Sequence, residues 1–160
     1  MNKVFESINI SFAKISEELI DDYLIMINDY ENVDKYLGGE YSTYTKEQEE
    51  AWVKCKLEKN ALIFSMIDKN TNKFIGNIEL MNPTSDTAEL GIAITANMQN
   101  KGYGKEAIKA FLDYSFQTLK LNRVFLRTRL FNLRAIHVYK MCGFKEYKRD
   151  DEHLFMEIFK

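Results

Sequence analysis

The sequence is poor in the residues that build metal sites and disulfide frameworks. Its 160 residues include two cysteines, Cys55 and Cys142, and two histidines, His137 and His153. The cysteines are distant in sequence and form no Cys-x-x-Cys motif, so we expect two free thiols rather than a disulfide or a zinc site. Because two isolated histidines provide no cluster of metal ligands, we expect neither a metal cofactor nor metal catalysis.

Long apolar runs and an excess of one charge are also missing. No segment approaches the roughly 20 consecutive apolar residues of a bilayer-spanning helix, and the first residues have no signal-peptide core. The 24 acidic and 22 basic residues are interspersed and leave a net charge of -2. Without a basic block, the chain lacks the charge pattern of a nucleic-acid-binding protein. We therefore expect a cytoplasmic protein with neither a membrane nor a nucleic acid as partner.

Segments typical of linkers are absent as well. The chain has a single proline, Pro83, and no repeat or low-complexity stretch. Its length fits one ordinary domain, and a hydrophobic content of 46% is ample for a core. We predict one domain over residues 1–160. No sequence feature requires an oligomer, so we expect a monomer or a homodimer.

Hydrophobic periodicity predicts a mixed α/β fold. A strand at residues 8–12 precedes a helix capped by Ser16, and Thr45-Lys46-Glu47-Gln48 has the form of a capping box that opens a second helix. An antiparallel meander of three strands follows at residues 61–67, 73–81 and 87–94. The remaining elements are a long helix through Leu119, a strand at 123–130, a helix at 132–141 and two strands that flank a turn at 150–152.

The junction between the meander and the long helix is suited to bind an anion. N–H groups at the start of a helix are unsatisfied and lie at the positive end of the helix dipole. Gly102 and Gly104 would let a pyrophosphate approach the backbone closely, and Lys101 and Lys105 would add positive charge. An ordinary glycine-containing turn explains Gly102-x-Gly104 equally well.

The same glycines also fit a dinucleotide-binding fingerprint, Gly102-x-Gly104-x-x-Ala107. That fingerprint belongs in the first βα turn of a parallel sheet and is followed by an acidic residue about 20 positions later. Here it follows an antiparallel meander, and the strand that starts at Arg123 offers arginines instead of an acid. A phosphorylated adenosine carrier therefore fits better than a dinucleotide, and NADPH-dependent reduction is a remote alternative.

Two motifs together resemble those of the GNAT superfamily of N-acetyltransferases. They are Gln99-x-x-Gly102-x-Gly104 after the strand Ile92-Ala93-Ile94, and Asn132-x-x-Ala135-x-x-x-Tyr139-x-x-x-Gly143-Phe144. The resemblance covers essentially the whole chain, and residues 33–37 and 45–52 resemble the branch that acetylates ribosomal-protein N-termini and the related spermidine acetyltransferases. It implies a mostly antiparallel central sheet of about six to seven strands with helices on both faces. It also implies a splay between the two central strands, 87–94 and 123–130.

The resemblance implies acetyl-CoA as co-substrate, with its pantetheine arm between the splayed strands. Backbone groups of Ile92 and Ile94, with Ala93 between them, would bind the pantetheine amides. Asn132 would help to hold the cofactor arm, although a helix N-cap is its plainer role. The pyrophosphate would lie on the backbone of the loop formed by Gln99, Asn100, Lys101, Gly102, Tyr103, Gly104 and Lys105. Gln99 stands where many members have arginine, which matters little because this contact is largely made by the backbone.

Tyr139 is the candidate general acid. It matches the tyrosine that the family uses to protonate the departing thiolate, and it would also contact the cofactor. Taken without its motif, an aromatic residue at this position is more often packed in the core. Negative charge on the attacked carbonyl oxygen would be stabilised by a backbone N–H near Ile92.

Glu79 and Glu89 are the candidate bases. If Met81 and Thr87 close the loop at residues 82–86, antiparallel pairing places Glu79 directly opposite Glu89. Like charges in that position repel, which raises the proton affinity of one carboxylate so that it can accept a proton from an ammonium group, directly or through water. Two solvated surface glutamates are the alternative. The other face of this strand pair carries only apolar residues and glycine, namely Gly76, Ile78, Leu80, Ala88, Leu90 and Ile92.

The sequence thus predicts an enzyme that transfers an acetyl group from acetyl-CoA to a primary amine by direct attack in a ternary complex. A protein N-terminal α-amine is the first candidate acceptor, a spermidine-like polyamine is the second, and an aminoglycoside is a third. Asp34 and Glu40, in the irregular segment before the second helix, suit a cationic amine. A CoA-binding module without turnover is the alternative of another class, and the retained Tyr139 favours the enzyme.

Overall fold

A computed structural model describes residues 1–160 and contains one eight-stranded sheet. The strands are β1 (Lys3–Glu6), β2 (Ile10–Lys14), β3 (Leu62–Asp68), β4 (Phe74–Met81), β5 (Thr87–Ile94), β6 (Arg123–Arg129), β7 (Lys145–Arg149) and β8 (His153–Phe159). Their order across the sheet is β1-β2-β3-β4-β5-β6-β8-β7. Every neighbouring pair is antiparallel except β5 and β6, which are parallel. The predicted mixed, mostly antiparallel sheet is confirmed, with eight strands instead of six to seven.

Four helices cover the two faces of this sheet. They are α1 (Ile20–Ile27), α2 (Lys46–Glu58), α3 (Tyr103–Asp113) and α4 (Leu133–Met141). The larger core lies between the sheet and helices α3 and α4, where Phe111 and Tyr139 are buried against Leu126. A smaller core on the other face packs Tyr23 of α1 and Val53 of α2 on the sheet. No helix is both long and apolar enough to span a bilayer.

The predicted helix starts are confirmed by their caps. The Ser16 hydroxyl accepts a hydrogen bond from the Glu18 N–H at 3.1 Å, which opens the turn that leads into α1. At the start of α2, the Thr45 hydroxyl accepts from the Gln48 N–H at 3.2 Å. The Gln48 side chain in turn accepts from the Thr45 N–H at 2.8 Å. This reciprocal capping box satisfies two backbone donors that the helix itself cannot pair.

The predicted long helix ends in a wider turn. The α-helical hydrogen bonds of α3 stop at Asp113, and residues 114–118 continue as a π-turn. The buried Ser115 hydroxyl donates to the Phe111 carbonyl at 2.7 Å. A serine that bonds back to the preceding turn competes with the regular backbone ladder. The helical periodicity in the sequence continues through this turn because its apolar side chains still face the sheet.

Strands β5 and β6 separate after a short stretch of pairing, which confirms the predicted splay. Their register contains three pairs, Thr87 with Arg123, Ala88 with Val124 and Glu89 with Phe125. Beyond these pairs, β5 continues to Ile94 and β6 to Arg129 without bonding to each other. The gap between them leaves backbone polar groups on the inner edges of both strands without a partner strand.

The predicted pairing of β4 with β5 is wrong by two residues. Glu79 lies opposite Gly91, and Glu89 lies opposite Met81, so the two glutamates are diagonal neighbours on one face. The cause is the turn at residues 84–87, where the Thr84 N–H bonds to the Thr87 carbonyl at 2.8 Å and closes the connection later than predicted. A shift of two residues preserves the faces of both strands. The apolar face was therefore predicted correctly, and the direct opposition of the carboxylates was not.

Candidate active site

A cavity of about 680 Å³ opens where β5 and β6 separate. Its walls are residues 89–94 of β5, residues 127–129 of β6, the loop and first turns of α3, and residues from α4. The remaining lining residues are Asn32, Val33, Tyr36, Leu37, Gly38, Met81, Asn82 and His153. Its size lies in the range of small-molecule sites. Glu79 and Lys101 do not line it, whereas each of the other predicted site residues does.

The β5 wall offers backbone groups to a ligand. Ile92, Ala93 and Ile94 are half-buried and line the cavity. The strand bonds to β4 on one side, and beyond Glu89 it has no strand on the other. Backbone N–H and C=O groups on this inner edge need a partner when buried, and a ligand with amide groups can provide one.

The loop before α3 presents unpaired N–H donors. Asn100 and Gly102 adopt left-handed backbone conformations, with φ of 61° and 86°. Gly102 is the N-cap of α3, and no side chain caps this end of the helix. The first N–H groups of α3 are therefore free to bind an anion at the positive end of the helix dipole. Lys105 lines the cavity in the first turn, whereas Lys101 is exposed outside it.

Gln99 connects three parts of the cavity wall. Its amide nitrogen donates to the carbonyl of Ile94 at 2.9 Å and to the carbonyl of Asn32 at 3.0 Å. Its amide oxygen accepts from the guanidinium of Arg134 at 2.8 Å. Arg134 also donates to the Asn100 side chain at 2.9 Å. The side chain of Gln99 thus links β5, the segment after α1 and the start of α4, in addition to the backbone role that was predicted.

Arg134 is a site residue that the sequence analysis missed. It lies two positions after Asn132 and places a positive charge beside the loop before α3. The contact joins residues that are 35 positions apart, so only the folded chain reveals it. The sequence feature that could have indicated Arg134 is a basic residue in the first turn of α4, the helix that carries the second motif.

Tyr103 anchors the start of α3 to the sheet. Its hydroxyl donates a short hydrogen bond to the carboxylate of Asp68 at the end of β3. The hydrogen bond from Tyr103, aided by the Thr71 N–H, lowers the pKa of Asp68 from 3.8 to about 2. The same bond raises the pKa of Tyr103. The Tyr103 ring still lines the cavity, so the residue both shapes the wall and fixes the start of α3.

A second anchor holds the same helix turn. The Glu106 carboxylate accepts from the Ser7 hydroxyl at 2.6 Å and from the Asn9 N–H at 2.7 Å. Burial alone would raise the pKa of Glu106, but the hydrogen bonds from Ser7 and Asn9 outweigh it and lower the value. The first turn of α3 is therefore tied to the sheet at one point and to the β1–β2 connection at another.

Tyr139 lies on α4 with its side chain buried against the larger core and its surface on the cavity. Its ring packs edge-on against Phe144, with centroids 5.9 Å apart. The hydroxyl has no hydrogen-bond partner within the protein. Burial, with a smaller contribution from Cys142, raises the pKa of Tyr139 to about 12. The phenol is therefore protonated at neutral pH and free to donate its proton to a ligand.

Asn132 caps α4 and also lines the cavity. Its side-chain oxygen accepts from the Ala135 N–H at 3.4 Å, as a helix N-cap does. Its remaining surface faces the space between β5 and α4. The same residue thus caps α4 and lines the cavity.

The two glutamates proposed as bases have different surroundings. Glu89 lines the cavity, and its carboxylate lies 3.7 Å from the Arg127 guanidinium. Glu79 lies outside the cavity and pairs with Lys56 of α2 at 3.6 Å. Since each carboxylate faces its own cation and neither lies opposite the other, mutual repulsion is not the feature that distinguishes them. Position alone favours Glu89 as the group that can reach a ligand.

Asp34 differs from the other acids of the segment after α1. It is only 3% exposed, one of its oxygens has no partner, and burial raises its pKa. The carboxylate packs against Gly39, where any added side-chain atom would collide with it. Asp34 does not line the cavity. The exposed Glu40 lies on the same segment without a paired cation.

The structure contains no cluster of side chains that could hold a metal ion. No three His, Cys, Asp or Glu side chains lie close enough to hold one ion. Cys55 and Cys142 are free thiols, as the sequence predicts.

Comparison with protein families identifies the family to which a chain with this site belongs. Residues 10–145 match the model of the acetyltransferase (GNAT) domain. The chain belongs to the GNAT acetyltransferase family. This confirms the family and the enzyme class predicted from the two motifs, so the chain is an N-acetyltransferase that uses acetyl-CoA. The dinucleotide interpretation of Gly102 and Gly104 is thereby superseded.

Individual relatives agree with the family. The chain is 32% identical to the spermidine N(1)-acetyltransferase of Vibrio cholerae serotype O1 over 135 residues, which is 83% of this chain and 75% of that protein. The structure of V. cholerae spermidine N-acetyltransferase in complex with CoA and spermine superimposes with a TM-score of 0.86 at 23% identity, over 96% of each chain. A GNAT-family acetyltransferase from Bacillus anthracis gives a TM-score of 0.86 at 20% identity and covers 99% of this chain and 98% of that chain. These two structural likenesses establish the fold.

Proposed function

We propose that this N-acetyltransferase acetylates a protein or peptide N-terminal α-amine by direct attack on acetyl-CoA in a ternary complex. The observation that carries the proposal is a single cavity that extends from the uncapped start of α3 to the Tyr139 surface and continues to Glu89. One space can therefore hold a phosphorylated carrier, an acid and a base together. With the carrier site, the acid and the base in one cleft, the amine could attack acetyl-CoA directly, without a covalent acyl-enzyme.

The residues of the cleft fit acetyl-CoA. The free N–H groups at the start of α3, with Lys105 and Arg134 beside them, would hold the pyrophosphate. The unpaired edge of β5 around Ile92 and Ile94 would bind the amides of the pantetheine arm, and Asn132 would contact the arm from α4. Acetyl-CoA supplies the acetyl thioester, and the protein has to orient it and move two protons.

Tyr139 would supply the proton for the sulfur that leaves. The pKa of about 12 keeps its hydroxyl protonated at neutral pH, and no protein group competes for that proton. A thiolate becomes a better leaving group as it receives a proton in the transition state. Backbone N–H groups on the open edge of β5 would stabilise the charge on the carbonyl oxygen.

Glu89 would receive the proton from the incoming amine, directly or through a water molecule. An ammonium group cannot attack a carbonyl carbon until it loses a proton. We expect Glu89→Gln to reduce kcat/KM by about tenfold or more at neutral pH and to change the pH-rate profile. Glu79→Gln is the matched control, since Glu79 lies outside the cavity and pairs with Lys56. An unchanged pH-rate profile for Glu89→Gln would exclude it as the base.

A spermidine-like polyamine is the second candidate acceptor. It is favoured by the similarity to the spermidine N(1)-acetyltransferase of V. cholerae, a protein whose name gives its substrate. Both acceptors present a primary amine, so the acid and base assignments apply to either. The monomeric or homodimeric state and the aminoglycoside acceptor stay predictions.

Initial-rate kinetics test the proposed reaction. Acetyl-CoA and an N-terminal peptide are varied together, and release of the free thiol is followed. A ternary complex predicts lines that intersect in the double-reciprocal plot and no thiol release without an amine. Parallel lines, or a burst of thiol release before the amine is added, would instead indicate an acyl-enzyme and contradict direct attack.

A further inference from the structure

Charge is distributed unevenly around the cavity. With histidine taken as neutral, its charged lining residues are Lys105, Arg134, Glu89, Arg127 and Arg129. Lys105 and Arg134 lie at the end formed by the loop before α3. Glu89, Arg127 and Arg129 lie on the face of the sheet that is turned away from α3 and α4, since the buried residues that alternate with them, such as Leu90 and Leu126, belong to the core beneath those helices. We call this part of the cavity the acceptor end. A single carboxylate lines it together with two guanidinium groups.

The two pairs of cationic residues that line the cavity have different explanations. Arg134 contacts Gln99 and Asn100, so it lies beside the backbone that would bind the pyrophosphate. Phosphate groups account for Arg134 and Lys105. Arg127 and Arg129 project from the opposite face of the sheet to α3 and α4, so phosphates bound at the start of α3 give no reason for a second pair of cations.

The two arginines are placed to act together. Residues 127 and 129 alternate along β6 with the buried Thr128, so their side chains leave the same face of the sheet. Glu89 lies on that face too, because it is paired with Phe125 in the parallel register. The acceptor end thus presents one negative and two positive groups on a common surface.

Neither arginine is occupied by a strong ion pair. Arg127 is 62% exposed and lies 3.7 Å from Glu89. Arg129 lies 3.4 Å from Glu152, a carboxylate that is 70% exposed. The other partner of each pair is less exposed, with Glu89 at 16% and Arg129 at 27%. Because one member of each pair is solvated and the charged atoms are 3.4 Å or more apart, these pairs contribute little. Each guanidinium can therefore present its planar donors to a further carboxylate.

The other acids of this face offer little to a polycation. Glu79 is paired with Lys56 at 3.6 Å, and Glu157 is paired with Arg123 at 2.9 Å. Asp34 is buried outside the cavity. A ligand with several ammonium groups would meet one lining carboxylate and two like charges, an arrangement that disfavours such a partner.

We infer that the acceptor is an amine that also carries a carboxylate, and that Arg127 and Arg129 select it. Glu89 faces the ammonium group, and the two arginines bind the carboxylate. The inference rests on the proposed acetyl transfer to a primary amine, and a free amino acid as acceptor would replace the N-terminal α-amine proposed above. The carboxylate belongs either to a free amino acid or to an acidic side chain near a peptide N-terminus, and spermidine, which has only cationic groups, is a poor substrate.

A comparison of kcat/KM among matched acceptors tests the inference. The peptides Ala-Glu-Ala-amide, Ala-Gln-Ala-amide and Ala-Arg-Ala-amide, spermidine, and free glutamate and alanine are each assayed with acetyl-CoA for kcat/KM. The peptides differ only in the middle side chain and each has a single primary amine, whereas the free amino acids test the other source of the carboxylate. The variants are Arg127→Glu and Arg129→Glu, with Arg149→Glu as control on the exposed strand β7. Ratios between two substrates do not depend on the fraction of folded enzyme.

We expect the wild type to prefer a carboxylate-bearing acceptor over Ala-Arg-Ala-amide and spermidine by about tenfold or more, which corresponds to one moderate charge interaction. Arg127→Glu or Arg129→Glu should reduce that ratio by a similar factor, and Arg149→Glu should leave it unchanged. A preference for spermidine, or a ratio that neither variant changes, overturns the inference while the amine acetyltransferase stands. Thiol release that no amine stimulates overturns the proposed function as well.

Discussion

At the scale of single residues, Tyr139 combines a buried ring with a hydroxyl that no protein group binds. Removal of the hydroxyl therefore breaks no internal hydrogen bond, and we expect Tyr139→Phe to fold as stably as the wild type. If Tyr139 is the general acid, kcat/KM should fall by about 100-fold or more. Steady-state kinetics measure the loss, and calorimetry should find acetyl-CoA affinity almost unchanged.

Tyr147→Phe is the matched control for this substitution, since Tyr147 lies on the exposed strand β7. It should have wild-type kinetics. If Tyr139→Phe retains most of the activity, the leaving thiolate obtains its proton elsewhere, and Tyr139 serves only to shape the cavity.

Gly102 and Gly104 are predicted to serve different purposes. Gly102 has a φ of 86° and open space around a hypothetical Cβ, so Gly102→Ala should cost about 1–2 kcal/mol of folding free energy through backbone strain alone. At Gly104 an added Cβ would lie 3.4 Å from the Ile94 side chain, an ordinary contact. Gly104→Ala should thus be neutral or stabilising by up to about 1 kcal/mol, because alanine is the better helix former.

The two alanine variants separate stability from binding. Urea denaturation measures the first effect and calorimetric titration with acetyl-CoA the second. If the pyrophosphate approaches the backbone at Gly104, Gly104→Ala should weaken acetyl-CoA binding by about tenfold despite its intact fold. If Gly104→Ala binds acetyl-CoA with wild-type affinity, the pyrophosphate does not closely approach the backbone at residue 104.

Residue identity was easier to predict than residue contacts. The motif positions Gln99, Gly102 and Asn132 could be identified because their two motifs resemble those of the family, and all three line the cavity. The opposition of Glu79 and Glu89 could not, because one turn at residues 84–87 sets the register of the whole hairpin. Arg134 escaped notice because its partners are distant in sequence.

At the scale of elements, the first turn of α3 depends on side chains from the sheet. The Tyr103 hydrogen bond lowers the pKa of Asp68 from 3.8 to about 2, so its stabilisation is fully present above pH 3.8. It is lost as the pH falls through about 2, when Asp68 is protonated in the folded state too. We therefore expect Tyr103→Phe to be less stable than the wild type at pH 7, and the difference to shrink below pH 4.

Urea denaturation at several pH values between 7 and 3 measures this difference. Tyr114→Phe provides a control within the same helical segment, because the Tyr114 hydroxyl makes no hydrogen bond to the protein. A stability difference between Tyr103→Phe and the wild type that stays constant down to pH 3 would show that Asp68 is not the source of the stabilisation.

Most elements could be predicted because their ends are encoded locally. Thr45 and Gln48 form the capping box that their spacing indicates. Strand β1 was not predicted, because its four residues lie at an edge of the sheet and all of them except Phe5 are exposed. Phe5 stacks on Phe12 at 4.3 Å, a cross-strand contact without a sequence signature of its own. The π-turn after α3 likewise depends on the local bond of Ser115.

At the scale of the whole molecule, the splay between β5 and β6 brings all parts of the site together. The cavity there joins the N-terminus of α3, the open edge of β5, Tyr139 and Glu89. The two-motif resemblance predicted this arrangement, whereas composition and periodicity alone predicted only a mixed α/β fold. The charges that would choose the acceptor come from β6 and could be recognised only after the strands were placed.

The most direct test of the account is thiol release from acetyl-CoA across a panel of N-terminal peptides, polyamines and aminoglycosides, with the acetylated product identified by mass. The account predicts that thiol release requires an amine, that free thiol and acetylated amine form in equal amounts, and that Tyr139→Phe loses most of both. Tight binding of acetyl-CoA with no release in the presence of any amine would contradict it.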